Sequence, residues 1–203
     1  MAKNGHPGDF LFQQTILFKK VGLRMFRIRN AVWSDCTNLA KVQVDNYRLN
    51  FTGLLPESYL DQFSYEEQEQ EWKDWMTTHP EDILVVAEKD DGELVGYAQG
   101  KSGLTSIPPY DSELTALHVS PTWQMLGIGR QLMQAVASRF EQMGCVSMML
   151  WVIDKNKARL FYERLGGQII GQQTLRPGKE DIQFIEIAYG WSDINNLVVL
   201  RVS

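Results

Sequence analysis

Cysteine, histidine and long apolar runs are all scarce in this sequence of 203 residues. Its two cysteines, Cys36 and Cys145, stand far apart and in no metal-like spacing, so we expect a reduced, cytoplasmic protein with buried thiols. No apolar run reaches the roughly 18 residues that a membrane span requires. A net charge of −5 gives no indication of nucleic-acid binding. We therefore expect no metal site, no membrane segment and no nucleic-acid partner.

Length and composition are typical of a single globular domain with a sizeable core, since 44% of the residues are hydrophobic. A periodic, foldable pattern begins near Met25 and predicts one domain over residues 25–203. Residues 1–24 form an N-terminal extension. It is either poorly ordered, an artefact of an upstream start, or packed through its apolar residues onto the domain or a partner. It lacks the continuous apolar region of a secretory signal.

Hydrophobic periodicity predicts an α/β (α+β) domain with a mixed sheet. The predicted order is a strand, two or three helices, three strands, a helix, a strand, a helix and two strands. Ser34 or Asp35 is expected to cap the first helix. Two β-rich runs, 83–88 and 94–100, flank an Asp-Gly dipeptide that is typical of a hairpin turn. A strand at 113–119 and the next strand after a helix should pair in parallel.

The segment QMLGIG, residues 124–129, places two glycines one residue apart where a strand turns into a helix. A helix start exposes backbone N–H groups, and the helix dipole favours an anion there. The segment lacks the third glycine of a dinucleotide fingerprint and the Gly-Lys-Ser/Thr of a nucleoside-triphosphate loop. Taken alone, these residues leave two alternatives open, a phosphate cradle and a tight turn whose glycines only allow close packing.

Three linked segments make residues 25–193 similar to the GNAT superfamily of acyl-CoA-dependent N-acyltransferases. ELTALHVSPTW (113–123) resembles the fourth strand of that family, QMLGIG its pyrophosphate loop, and NKARLFYERLGG (156–167) its Asn-x-x-Ala-x-x-Phe-Tyr helix. The resemblance implies a GNAT-like, mostly antiparallel sheet with splayed fourth and fifth strands, flanked by helices. It also implies an N-acetyltransferase that moves an acetyl group from acetyl-CoA to a primary amine by direct transfer in a ternary complex.

The resemblance assigns acetyl-CoA, as co-substrate and without a metal, to the gap beside strand 113–119. Its pantetheine amides are expected on the main chain of Leu117, His118 and Val119. Its pyrophosphate is expected on the backbone N–H groups of Gln124, Met125, Leu126, Gly127, Ile128, Gly129 and Arg130. Asn156 lies where the family usually places a side chain on the cofactor arm. Arg159 either meets the adenosine phosphate or belongs to a solvated helix face.

Acetyl transfer to an amine needs a base and an acid. A lysine-like amine has an unperturbed pKa of about 10.4, so a base must take its proton. Glu113 is the candidate base, and the alternative is an exposed strand-end carboxylate. Tyr162 occupies the tyrosine position of the family and is assigned as general acid for the leaving thiolate; the alternative is a core tyrosine. The imidazole of His118 is interpreted as neutral and structural.

The acceptor pocket is expected between helices 35–50 and 56–78, the loop 101–112 and the last strands. Aromatic residues there either cradle a cation or pack the helices, and they are Tyr47, Phe51, Tyr59, Trp72, Trp75 and Tyr110. The acidic balance favours a cationic amine: a polyamine, amino sugar, amino acid or peptide amine. A small-molecule or peptide amine is thus the expected partner, and the family implies a homodimer. The rival function is a non-catalytic acyl-CoA-binding sensor or interaction module.

Two positions depart from the family pattern. Gln124 and Met125 stand where a basic residue followed by glycine is common, which removes a positive charge near the pyrophosphate and predicts weaker binding. Gly167 stands where phenylalanine is more common. Neither departure removes the main-chain donors of the glycine loop.

Overall fold

The structure, a computed structural model, describes residues 26–176 and 183–198, so the predicted extension 1–24 lies outside the described residues. The strands are β1 (Phe26–Asn30), β2 (Ile83–Lys89), β3 (Leu94–Ser102), β4 (Ser112–Val119), β5 (Met148–Ile153), β6 (Gln168–Leu175) and β7 (Phe184–Trp191). The helices are α1 (Cys36–Asn50), α2 (Glu57–Leu60), α3 (Tyr65–Thr78), α4 (Ile128–Gln142), α5 (Arg159–Arg164) and α6 (Asn195–Val198). This order confirms the predicted succession of elements.

The strands form a seven-stranded sheet in the order β1-β2-β3-β4-β5-β7-β6. Neighbouring strands are antiparallel except for β4 and β5, which are parallel and pair at Glu113 and Met149. Beyond that pair the two strands have no further register within the described residues, so β4 has no strand partner on this edge from Leu114 to Val119. This confirms the predicted mixed sheet with splayed fourth and fifth strands.

A β-bulge at Thr115 interrupts β4. Two consecutive residues of β3 pair with Leu114 and Ala116, so Thr115 between them is an extra residue. Such an insertion shifts the alternation of side chains by one position. Leu114 and Leu117 consequently pack on the same core, whereas Ala116 and His118 face the opposite side of the sheet.

Apolar cores cover both faces of the sheet. The larger core includes α4, whose periodic residues are at most 1% exposed: Ile128, Leu132, Met133, Val136, Ala137 and Phe140. The smaller core lies beneath α1 and α3 and contains Cys36, Leu39, Ala40, Val42, Trp72, Leu84, Val86, Leu94 and Tyr97. We name these two sides of the sheet the α4 face and the α1 face. Burial of each large apolar side chain contributes about 1.5–3 kcal/mol to stability, so both faces anchor the sheet.

The starts of α3 and α1 differ in how well local sequence predicts them. The hydroxyl of Ser64 accepts a hydrogen bond from the backbone N–H of Glu67 (3.2 Å) and caps α3, as is typical of a serine at a helix start. Within the described residues, no side chain caps α1. The Asp35 carboxylate instead accepts hydrogen bonds from the Arg29 guanidinium at 2.6 and 2.9 Å and from the Val32 N–H at 2.8 Å. Asp35, one of the two expected capping residues, therefore forms a tertiary ion pair and does not cap the helix.

Among the described residues, no helix is both long and apolar enough to cross a membrane. Over the same residues, no group of three His, Cys, Asp or Glu side chains is arranged so that it could hold a metal ion.

Candidate active site

A gap opens where β4 and β5 diverge, and Leu117, His118 and Val119 form its β4 edge. Their other edge is paired with β3. An extended ligand can therefore add to the free edge as a further strand would, through main-chain hydrogen bonds. The Val119 carbonyl also accepts a hydrogen bond from Gln124 Nε2 (3.1 Å), which ties the glycine loop to the end of β4.

The segment QMLGIG, which we call the glycine loop, turns into α4 at Gly127, whose φ is 84°. The N–H of Gln131 donates to the Gly127 carbonyl (3.1 Å), so the amides of residues 128–130 lie ahead of this intrahelical bond. A helix start of this kind attracts anions. This site lies directly after β4, at the wide end of the gap.

Close packing does not account for the two glycines. A Cβ at Gly127 would meet no atom within 4 Å. A Cβ at Gly129 would lie 3.5 Å from Phe161 and 3.7 Å from Val119, which is ordinary van der Waals contact. Gly127 is instead required by its positive φ, and the backbone at Gly129 stays open to close approach by a ligand. The phosphate cradle is the alternative that these distances favour.

Met125 adopts a φ of 61°, and no other non-glycine residue among those described has a positive φ. Its side chain is 92% exposed, so no packing compensates for this conformation. Glycine adopts the left-handed region without the steric cost that a Cβ imposes. The departure from the family pattern at this position therefore places a strained residue in the loop.

Gly127→Ala is expected to lower the melting temperature by about 2–4 °C, because a left-handed alanine costs about 1–2 kcal/mol, partly offset by a less flexible unfolded chain. Met125→Gly is the matched control and should leave the melting temperature unchanged or raise it, since it removes the same strain. Thermal unfolding of both variants beside the wild type measures this. An unchanged melting temperature for Gly127→Ala would contradict the loop conformation described above.

Glu113 lies at the narrow end of the gap, opposite Met149. Because Leu114 packs on the α4 face, Glu113 points to the α1 face. Its side chain is only 14% exposed, and its carboxylate lies 3.2 Å from Lys101 Nζ. The carboxylate is therefore held in place within the structure and is not the exposed strand-end group that was the alternative.

Tyr162 lies on α5 with its ring in the core of the α4 face. Its ring centroid is 5.3 Å from Phe161, 6.1 Å from Tyr189 and 6.4 Å from Trp191. Burial raises the pKa of its hydroxyl, which is therefore protonated at neutral pH. No group in residues 26–176 and 183–198 forms a hydrogen bond with this hydroxyl. It is consequently available as a donor, although the ring itself is a core residue.

The fold already uses the side chains of Asn156 and Arg159. Asn156 Oδ1 accepts a hydrogen bond from the Ala158 N–H (2.9 Å), just before α5. Arg159 donates to the Tyr189 hydroxyl and to the Asp154 carbonyl, each at 3.0 Å, and pairs with the Asp154 carboxylate. Arg159 is thus fixed by its own chain and is not a freely solvated side chain.

His118 lies among aromatic rings on the α1 face, with centroids 5.7 Å from Tyr47, 6.4 Å from Phe51 and 5.1 Å from Tyr97. Burial lowers the pKa of His118 to about 4, so the imidazole is neutral at neutral pH. Tyr47 also stacks on Phe51 at 5.0 Å and lies 4.5 Å from Phe63. Sequence reasoning missed Phe63 and Tyr97. The cross-strand pairing of Tyr97 with His118 is what brings that ring to the gap.

Gly167 stands where phenylalanine is more common in the family, and the packing around it explains this departure. A Cβ at Gly167 would lie 2.6 Å from the Trp191 ring. Trp191 is only 4% exposed and donates a hydrogen bond from Nε1 to the Leu165 carbonyl (2.9 Å), so it has little freedom to move. Trp191 therefore occupies the space beside α5 that a larger residue at position 167 would need.

Residues 48–167 match the sequence model of the acetyltransferase (GNAT) family. YuaI of Bacillus subtilis strain 168, an uncharacterized N-acetyltransferase, is 28% identical over 176 residues, which are 87% of this chain and 98% of YuaI. The family match covers more than half of the chain. It includes β4, the glycine loop and Tyr162.

Solved structures share the fold. The PaiA N-acetyltransferase of Thermoplasma acidophilum, in complex with coenzyme A, has a TM-score of 0.63 and 18% identity, over 81% of this chain and 98% of that one. YncA of Salmonella typhimurium, solved with acetyl-CoA, has a TM-score of 0.61 and 16% identity, over 88% of this chain and 96% of that one. The predicted fold and enzyme class are confirmed, as is acetyl-CoA as the co-substrate of this enzyme class. The chain belongs to the acetyltransferase (GNAT) family.

Proposed function

We propose that this protein is an N-acetyltransferase that transfers an acetyl group from acetyl-CoA directly to a primary amine within a ternary complex. The observation that carries the proposal is the gap between β4 and β5, which has a free strand edge along one side and the start of α4 at its wide end. An elongated ligand with amide groups and a diphosphate fits that combination.

The residues around the gap fit acetyl-CoA, which supplies the acetyl group as an activated thioester. The main chain of Leu117, His118 and Val119 would hold the pantetheine amides, and the amides of residues 124–130 would hold the pyrophosphate. The Asn156 side chain keeps its NH₂ group for the cofactor arm, because its Oδ1 already accepts from Ala158. Arg159 would reach the adenosine phosphate only through those guanidinium N–H groups that do not already donate to Tyr189 or Asp154.

Glu113 and Tyr162 would move the protons. Glu113 takes a proton from the amine, directly or through a water, so that a neutral nitrogen attacks the thioester carbonyl. A backbone N–H near Val119 stabilises the oxyanion that develops there. The Tyr162 hydroxyl then donates a proton to the sulfur that leaves. The carboxylate reaches the gap from the α1 face and the hydroxyl belongs to the α4 face, so acid and base approach from opposite sides.

A non-catalytic acyl-CoA sensor with the same fold is the rival function. It would bind CoA equally well, but it has no need of an unpartnered tyrosine hydroxyl or a carboxylate held at the narrow end of the gap. These two groups favour the enzyme. The single domain over residues 25–203, a cytoplasmic location and a homodimer are parts of the same proposal.

CoA and acetyl-CoA are expected to raise the melting temperature by about 5–10 °C at a concentration 100-fold above Kd, where binding contributes about 2.7 kcal/mol. ATP and NAD at the same concentration are controls for a general nucleotide site and should have a much smaller effect. Release of free thiol from acetyl-CoA is then measured across a panel of primary amines.

Each outcome of this experiment has a distinct meaning. Thiol release that depends on an amine supports the transferase. Stabilisation by CoA without thiol release from any amine would favour the sensor. Equal stabilisation by ATP or NAD, or none by CoA, would contradict the assignment of the gap to acetyl-CoA.

A further inference from the structure

On the α1 face, the β5 side of the gap presents an aromatic ring and a carboxylate. On β5, Leu150 and Val152 pack in the core of the α4 face, so Trp151 between them points to the α1 face. On β7, Ile187 packs in the same core, so Glu186 also points to the α1 face. Trp151 pairs with Ala188, and Glu186 is two residues away from Ala188 on the same face. Trp151 and Glu186 are therefore diagonal neighbours.

The loop between β3 and β4 covers this part of the α1 face and holds Trp151. Trp151 Nε1 donates a hydrogen bond to the Ser106 hydroxyl (3.0 Å). The Tyr110 ring occupies the space above Gly190, where a Cβ would lie 2.5 Å from that ring. The loop therefore packs directly on the sheet and fixes the indole of Trp151 at the edge of the gap.

Glu186 is held in position by Gln173, whose Nε2 donates to its carboxylate at 2.9 Å. Burial, together with the proximity of Tyr59, Glu71 and Glu186, raises the pKa of Tyr47 to about 12. Tyr47 lies against His118 of β4 on the α1 face, and Trp151 with Glu186 occupies the same face on the β5 side of the gap. Glu71 belongs to α3 and accepts a hydrogen bond from Gln68 Nε2 (2.8 Å).

Two cations on the α1 side of the sheet, Lys101 and Arg48, have partners of their own. Lys101 Nζ lies 3.2 Å from the Glu113 carboxylate. Arg48 donates to the Phe63 carbonyl (3.2 Å), and its guanidinium lies 5.2 Å from the centre of the Tyr65 ring. Neither Glu71 nor Glu186 has a salt-bridge partner in the part of the chain that the structure describes. Glu186 thus adds a carboxylate without a salt-bridge partner to the aromatic rings on the α1 face of the gap.

We infer that the amine acceptor carries a second positive charge, which Glu186 holds beside the ring of Trp151, with the ring of Tyr47 on the β4 side of the gap. This inference rests on the proposed function and narrows its acceptor to diamines and other amines with a second cationic group. Carboxylates attract such a cation, and aromatic faces stabilise it. A free amino acid would bring its own carboxylate close to those of Glu113 and Glu186, and this repulsion disfavours that class of acceptor.

The strand register indicates how far apart the two nitrogens lie. Met149 pairs with Glu113, and Ile153, four residues further along β5, pairs with Glu186. At about 3.3 Å per residue the two carboxylates are attached roughly 13 Å apart along the gap. This separation leaves space for an alkyl chain of several carbons between the reacting amine and the second charge.

The matched substrates 1,5-diaminopentane and n-pentylamine test this inference, because they differ only in the second nitrogen. The wild type is expected to use the diamine with a kcat/KM about tenfold higher, a preference that falls as ionic strength rises. Glu186→Gln should lose most of this preference and keep its kcat/KM for pentylamine. Glu141→Gln is the matched control, since it removes the same charge from the exposed end of α4, on the opposite face of the sheet.

Calorimetric titration of the CoA complex with diaminopentane gives a readout apart from turnover, and Glu186→Gln should weaken this binding by a similar factor. Equal use of both amines by the wild type, or an unchanged preference in a normally folded Glu186→Gln variant, would overturn the inference and leave the transferase intact. Absence of thiol release with every amine would overturn the proposed function, and the second-charge inference with it.

Discussion

Tyr162→Phe is expected to lower kcat for acetyl transfer about 100-fold, within the range that general acid catalysis supplies. The thiolate of CoA is a moderate base, with a pKa by analogy to cysteine of about 8.5, so its departure is faster when a proton is delivered to it. Burial raises the pKa of Tyr162 and keeps that proton on the hydroxyl at neutral pH. Steady-state thiol release measures the loss.

Stability and cofactor affinity separate this effect from a folding defect. Phenylalanine keeps the buried ring, and the hydroxyl it removes has no partner among the described residues. The melting temperature and the Kd for CoA should therefore stay close to those of the wild type. Tyr65→Phe is the control, because it removes an exposed hydroxyl that donates to Asp45 (2.7 Å) on the outside of α1. Wild-type turnover by Tyr162→Phe would leave this tyrosine with a packing role alone.

Glu113→Gln is expected to lower kcat/KM about 100-fold at neutral pH, because an alkylamine with a pKa of about 10.4 arrives protonated and needs a base. The deficit should shrink as pH rises towards that pKa, since solution then supplies the neutral amine. Profiles of kcat/KM against pH for both proteins, from about pH 7 to pH 10, measure this convergence.

Lys101→Gln is the matched variant for this prediction. It removes the ammonium that lies 3.2 Å from Glu113 but leaves the carboxylate, so a much smaller change of a few-fold is expected. If Glu113→Gln followed the wild-type profile at every pH, the base would have to be another group. If Lys101→Gln caused the same loss as Glu113→Gln, the carboxylate would act through its ion pair and not by itself.

These variants test a proposed site in which the cofactor and the acceptor bind to different parts of the splayed sheet. The free edge of β4 and the start of α4 fit the cofactor, and the α1 face fits the acceptor. Tyr162 belongs to the core of the α4 face. In the proposed function, the gap between the strands connects both faces, so that two substrates held by different elements could meet there.

Much of this fold follows from local signals in the sequence. The periodic residues of α4, the Asp-Gly hairpin between β2 and β3, and the Ser64 cap of α3 each depend on residues a few positions apart. Helical periodicity, turn chemistry and capping act over that distance, so the chain order of strands and helices was predictable. The glycine loop and Tyr162 were identified through their resemblance to contiguous motifs of the GNAT family.

Tertiary structure decided the features that join distant segments. Arg29 bonds to Asp35, which local sequence predicts as a helix cap, because β1 and the start of α1 meet in the fold. The bulge at Thr115 depends on the register with β3. Trp151 and Glu186 are 35 positions apart in the chain, yet the pairing of β5 with β7 makes them neighbours.

The sequence by itself determined the elements, their order and the family motifs, since these arise from hydrogen bonds and periodicity within short stretches of chain. Only the tertiary structure decided which side chains face each other across the gap. That choice depends on strand register and on which face of the sheet each residue occupies, and a shift of one residue reverses the face. The proposed anion site at the start of α4 can thus be predicted from QMLGIG, whereas the proposed aromatic and acidic subsite around Glu186 combines segments that are far apart in the chain.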